Sequence, residues 1–170
     1  DSTYENTKQV FPVPLEGETI SKVNPDDGEL QYLINFANYS SDTVKTIHVI
    51  DTIDANLDIQ FIQETGASHN YTTRVINGPP GSNIATLIWT FSGLDLVPNP
   101  QRYNDMPGYS GYIGFKVKLN KNVPLGTIIY NQAALVFDFD HTEMTNQVQS
   151  EVAEVVSVGE HLQFDQGSIL

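Results

Sequence analysis

The chain has 170 residues, 21 of them acidic and 8 basic, for a formal charge of −13, and it contains no cysteine. That length suits one domain with a substantial core, and the charge argues against nucleic acid, whose phosphates call for a basic surface. Disulfides and zinc–thiolate sites are excluded outright, and no apolar run is long enough to span a bilayer as a helix.

Short β-rich runs punctuated by Gly, Pro, Asn and Asp recur along the whole chain, while helical periodicity is nearly absent. They predict strands near 8–13, 29–37, 43–51, 58–63, 70–76, 84–91, 111–119, 127–138 and 145–157. In the second of these, Tyr32, Ile34 and Phe36 share one face, and in the seventh Phe115, Val117 and Leu119 alternate with Lys116 and Lys118. Such alternation belongs to antiparallel sheets with one wet face, packed face to face. The expected fold is therefore all-β, an immunoglobulin-like antiparallel sandwich of about seven to nine strands. One domain is expected over 1–158, with 1–12 as a lead-in strand or linker and 159–170 as a tail or linker. The chain opens at Asp1 without a charged and apolar leader, which reads as a mature or excised fragment.

The connections carry most of the chemistry. Asn24 to Gly28 has a turn residue at every position, and Asn77-Gly-Pro-Pro-Gly81 makes a hairpin of the segment 70–91. The longest irregular stretch, Ser92 to Tyr109, holds Pro98, Pro100 and Pro107 beside Arg102, Asn104 and Asp105. Loops of that length are usually functional or disordered.

Catalytic signatures are missing. His48, His69, His141 and His161 are widely spaced with no metal-ligand phrase among them, and neither a nucleophile elbow nor a phosphate-binding glycine run occurs. The expectation is a protein that is not an enzyme. Calcium is the candidate cofactor, because it takes six to eight oxygen ligands and loops of a sandwich can supply them from separate segments. Three acidic clusters qualify: Asp26, Asp27 and Glu29; Asp51, Asp54 and Asp58; and Asp138, Asp140 and Glu143. If 127–139 continues as a strand, Asp138 and Asp140 point to one face and Phe137 and Phe139 to the other. With Asn104 or Asp105 they form the preferred metal set. Tyr103, Tyr109 and Tyr112, near Arg102 and Asn104, are the candidate carbohydrate platform, since exposed tyrosines offer a flat apolar face with a polar tip.

The order and spacing of several phrases over roughly residues 28–150 resemble a known family. The phrases include Ile34-Asn-Phe36-Ala-Asn38, Asp51-Thr-Ile-Asp54-Ala-Asn-Leu57-Asp58, Gly66-Ala-Ser-His69, Ser110-Gly-Tyr-Ile-Gly-Phe115, Pro124-Leu-Gly-Thr127, Phe137-Asp-Phe139 and Thr145-Asn146. Together they are similar to the conserved repeat domain of large secreted proteins from bacteria with type IX secretion, related to the broader DUF11 repeats. The resemblance implies a non-catalytic extracellular β-sandwich module. Taken with the acidic clusters, the expected function is an interaction or spacer module of a larger secreted or cell-surface bacterial protein, adhesive and calcium-stabilised. The alternative is a carbohydrate-binding module accompanying a secreted polysaccharide-degrading enzyme. Expected partners are neighbouring domains of the same polypeptide and a surface protein or glycan, with no nucleic acid and no membrane insertion.

Two covalent features complete the reading. Bacterial surface domains sometimes join Lys to Asn through an isopeptide bond beside a buried acid, for which Lys45 or Lys118 with Asn131 or Asn146 are formal candidates. Asp42-Thr43-Val44 and Asp51-Thr52-Ile53 match a bacterial O-glycosylation phrase, and Asn38-Tyr-Ser40 and Asn70-Tyr-Thr72 match the eukaryotic N-linked acceptor.

Overall fold

The β-branched and aromatic alternation of the sequence resolves into twelve strands in the computed structural model, which describes residues 5–155. In chain order they are β1 Thr7–Phe11, β2 Ser21–Val23, β3 Glu29–Ala37, β4 Val44–Ile53, β5 Leu57–Ala67, β6 Thr72–Asn77, β7 Ala85–Leu96, β8 Ser110–Leu119, β9 Ile128–Asn131, β10 Ala133–Phe137, β11 His141–Met144 and β12 Val148–Val152. Three sheets result, ordered β1-β3-β8-β5, β11-β10-β4-β7-β6 and β2-β12-β9. All pairings are antiparallel except β2 with β12, which is parallel. No helix among the described residues is long and apolar enough to cross a membrane.

The first two sheets face one another, and their inward residues make the core. Tyr32, Ile34, Phe36, Ile113, Phe115 and Val117 from one meet Ile47, Val49, Leu87, Trp89 and Phe91 from the other. Aromatic rings bridge the layers, with Phe36 and Phe91 centroids 5.2 Å apart and Trp89 and Phe115 5.1 Å apart. Each such fully buried side chain contributes about 1.5–3 kcal/mol, which sets the register of both sheets firmly. The third sheet adds Val23, Ile129 and Val152 to the same cluster. Gly111 on β8 is required by packing, because a Cβ there would stand 2.7 Å from the Phe36 ring.

The sandwich class agrees with the sequence, and so does the hairpin of β6 and β7. The strand inventory differs in instructive places. The strand expected near 8–13 is present as β1, a full member of its sheet paired with β3 from Thr7↔Asn35 to Phe11↔Gln31; the differences lie further along the chain. The single strand expected over 127–138 is two, because the chain leaves one sheet after Asn131 and enters another at Ala133. Strand geometry ends at Phe137, so the expected pairing of Asp138 with Asp140 on one strand face does not form. Asp138 and Phe139 take left-handed conformations, φ 48° and 69°, and turn the chain into β11. Phe139 is 73% exposed whereas Phe137 is 6% exposed. The expected tail, 159–170, and His161 lie outside the described residues, as does the end of the strand expected over 145–157.

Candidate functional site

Three polar side chains occupy positions that the strand alternation reserves for apolar ones. Lys8 lies on the inward face of β1 with Val10, Asp51 follows Ile47 and Val49 on the inward face of β4, and Asn131 follows Ile129 on β9. Each strand belongs to a different sheet, so the three sheets meet at this point. Lys8, Asp51 and Asn131 are 2%, 0% and 2% exposed.

Lys8 Nζ donates to Asp51 Oδ2 in an ion pair with no solvent exposure of either side chain. The amine also stands 4.8 Å from the Tyr32 ring centroid and 5.3 Å from that of Phe115. Those rings, 5.2 Å apart, form an apolar wall with Trp89 behind it. Burial pushes the Lys8 amine below the ordinary lysine range, against the opposing pull of Asp51. Burial likewise pushes the Asp51 carboxyl up, offset in part by Lys8 and by the neighbouring Asn131 amide. Both groups are thus biased toward their neutral forms, amine and carboxylic acid. Asn131 is close enough to Asp51 to favour its charge, yet neither its Nδ2 nor its Oδ1 completes a hydrogen bond of normal geometry. Asp51 Oδ1 and the Tyr32 hydroxyl are also without partners. Buried polar groups left this way each cost about 1–3 kcal/mol, so the cluster works against stability as it stands.

Beside the cluster, Asn146 clamps the backbone of β1. Lys8 N donates to Asn146 Oδ1 at 2.8 Å, and Asn146 Nδ2 donates to Lys8 O at 2.9 Å. One turn residue further out, Asn6 Oδ1 accepts from Ala37 N at 2.9 Å. Of the residues expected to carry a cross-link, Asn131 is buried and Asn146 is the clamp. The lysine assignment is corrected: Lys45 is exposed and pairs with Asp95, and Lys118 is exposed over the Phe61 ring. Lys8 is the inward lysine.

The expected metal residues are placed as follows. Asp138 Oδ1 accepts from Lys45 N and Thr46 N, both at 2.9 Å, and so fastens the turn after β10 to the irregular start of β4. Asp138 and Asp140 line an open cleft of about 350 Å³ with Glu5, Asp42, His141 and Glu143, whereas Asn104 and Asp105 are not among its walls. Among the described residues no three His, Asp or Glu side chains converge as a ligand set. Asp54, from another acidic cluster, accepts from Asn56 N at 2.8 Å, the ordinary chemistry of a turn.

The expected tyrosine platform is brought together in part. Tyr109 and Tyr112 line one open cleft with Tyr39, which the sequence reading had not included, and Tyr103 lies outside it. The Tyr39 and Tyr109 rings are 5.9 Å apart, and the Arg102 guanidinium lies 4.3 Å from the Tyr39 centroid.

No curated protein matches the chain. Among solved structures, it is similar to domains D2 and D3 of the major pilin SpaD from Corynebacterium diphtheriae, with a TM-score of 0.51 and 18% identity over 85% of this chain and 51% of that one. It is also similar to the fimbrial protein FimP from Actinomyces oris, with a TM-score of 0.51 and 17% identity over 85% and 37% of the two chains. The C-terminal domain of the Streptococcus pyogenes antigen I/II-family protein AspA gives a TM-score of 0.52 and 14% identity over 89% and 47%. The chain therefore spans about half or less of each of these structures, and likeness at such identity shows a shared sandwich fold. The family model that fits is not the broader DUF11 repeat suggested by the sequence phrases. Residues 6–151 match the model described as a domain of unknown function, DUF7619, and the chain belongs to that family.

Proposed function

We propose that the chain is a non-catalytic, load-bearing spacer module of a larger secreted or cell-surface bacterial protein. The observation that carries this reading is the relation between its entering and leaving strands. Near the start of β1, Lys8 is clamped by Asn146, just before β12. Past its end, the Pro12 carbonyl accepts from Ser21, which pairs with Ser150 in the middle of β12. β1 and β12 thus advance side by side in the same sense, and β2 pairs with β12 in parallel. A pull on the chain before Thr7 and after Val152 acts on opposite ends of this arrangement. Its contacts must then fail together rather than one after another. Pilin and fimbrial proteins of the same fold are consistent with such a role.

Single-molecule stretching through the two ends tests it. The expected record is a high-force, all-or-none event. Extension at the low, gradual forces that peel strands apart one bond at a time would refute the reading.

A second reading, glycan binding, has one observation in its favour: Tyr39, Tyr109 and Tyr112 share an open cleft of about 520 Å³. It expects weak binding on a glycan array that Tyr109→Ala and Tyr112→Ala abolish. Binding that survives both substitutions would remove this surface from consideration.

A further inference from the structure

We propose that Lys8 and Asn131 become joined by an intramolecular amide bond, formed by the folded chain itself with Asp51 as the proton carrier. The inference stands on the buried cluster and is independent of the load-bearing reading. Its failure would leave the strand arrangement, and the stretching experiment, untouched.

Three observations converge. Lys8, Asp51 and Asn131 occupy inward positions on strands of three different sheets, all sealed from water. Around the amine stand Tyr32 and Phe115, which give it a dry apolar wall and no competing acceptor beyond Asp51. The Asn131 amide is left with both polar atoms unpaired beside the acid, a costly arrangement for a side chain with no role there.

The chemistry balances without any co-reactant. A neutral Lys8 Nζ has a free lone pair and attacks Cγ of Asn131, while the Asp51 acid donates its proton toward the amide oxygen and polarises the carbonyl. The tetrahedral intermediate gives up the Nζ proton to the Asp51 carboxylate, and the carboxyl returns a proton to Nδ2. As Nδ2 leaves as ammonia, the hydroxyl of the intermediate returns its proton to Asp51 and the carbonyl re-forms, so the Nζ–Cγ bond remains and Asp51 ends as it began. No atom is oxidised or reduced. The direction of both burial effects, amine down and acid up, supplies the two neutral forms that the first step needs. Direct condensation of Lys8 with Asp51 would release water instead and would give Asn131 nothing to do.

The product also removes the strain of the cluster. The ion pair disappears, and Asp51 is left as a neutral acid beside an amide with which it can exchange hydrogen bonds.

Mass spectrometry of the folded 170-residue chain, denatured only for measurement, is the test. The expected intact mass is lighter than the sequence by one ammonia, with a branched peptide linking the Lys8 and Asn131 segments and no tryptic cleavage after Lys8. The full sequence mass would overturn the proposal. So would an ammonia loss mapped to Asn77-Gly78, where succinimide formation releases the same group, or a loss of water mapped to Lys8 and Asp51. Lys8→Arg and Asn131→Ala should each restore the full mass. Asp51→Asn keeps the shape of the side chain and removes the proton carrier, and cross-linking during refolding should slow by about 100-fold or more. An Asp51→Asn chain that cross-links at the original rate would eliminate Asp51 from the chemistry. Should a variant fail to fold, the mass of the unaltered chain still decides.

Discussion

Replacing Asn131 by Ala separates the cross-linked protein from the merely ion-paired one by the size of the stability change. Without an amide bond, Asn131 contributes two buried polar atoms that find no hydrogen bond. Their removal relieves desolvation, so Asn131→Ala should be close to neutral, and Asn131→Leu neutral or stabilising. With the bond, the substitution opens a closed loop of about 120 residues, whose constraint on the unfolded chain is worth about 5 kcal/mol in the chain-entropy model. For a domain of this size that loss lowers the melting temperature by roughly 10–20 °C. The variant also keeps a free Lys8 beside Asp51, able to form the ion pair, so the comparison does not strand a buried charge.

Thermal unfolding by calorimetry, supported by denaturant titration, measures the difference. The expected result for Asn131→Ala is the large drop, accompanied by a steeper denaturant dependence because the freed unfolded chain exposes more surface. A change within about 1 kcal/mol of zero would refute the reasoning, since a covalent constraint of that loop length cannot be lost so quietly.

Other outcomes follow from the same geometry. Lys8→Met leaves Asp51 buried without the cation that offsets its desolvation, so its folded pKa stays raised. A folded carboxyl that holds its proton above the unfolded value of about 3.9 makes stability fall as pH rises, by up to about 1.4 kcal/mol per unit until the folded pKa is passed. Melting curves of Lys8→Met should therefore peak in acid near pH 4 and decline toward neutrality, and adding Asp51→Asn should flatten the decline; a flat profile in the single variant would contradict it. Asn146→Ala removes both hydrogen bonds to the Lys8 backbone and should cost about 2 kcal/mol, with faster amide hydrogen exchange at Lys8 as its local sign. With a formal charge of −13, salt should raise the melting temperature by screening, and calcium chloride should do no better than sodium chloride at matched ionic strength. Extra stabilisation by calcium that Asp138→Asn abolishes would establish the acidic cleft as a metal site instead.

The sandwich was legible in the sequence because its signal is local. Tyr32, Ile34 and Phe36, or Phe115, Val117 and Leu119, declare an inward face from spacing alone, and each is fully or nearly buried. What spacing cannot show is a change of sheet. From Ile128 to Phe137 the chain reads as one apolar run, and only the single residue Gln132 separates β9 from β10. Asp138 and Asp140 were placed on a continuing strand for the same reason, where a left-handed turn intervenes.

The buried cluster illustrates the boundary more sharply. Each member carried a local sign: Asp51 keeps phase with Ile47, Val49 and Ile53, Asn131 with Ile129, and Lys8 with Val10. Reading acids by proximity instead grouped Asp51 with Asp54 and Asp58, although Asp54 caps a turn and is only half-buried. Lys8 lies in a strand expected near 8–13, but a lysine between Thr7 and Gln9 resembles the wet face of an edge strand. Phase alone could have declared each of the three inward, and an inward lysine or aspartate demands a partner. The identity of that partner is a different kind of information. It depends on β1, β4 and β9 arriving from three sheets at one point, a consequence of packing among strands that lie far apart in the chain. A polar residue in an apolar phase is therefore a question the sequence can pose, and the answer, here an amine set against an acid and an unpaired amide, exists only once the sheets have closed.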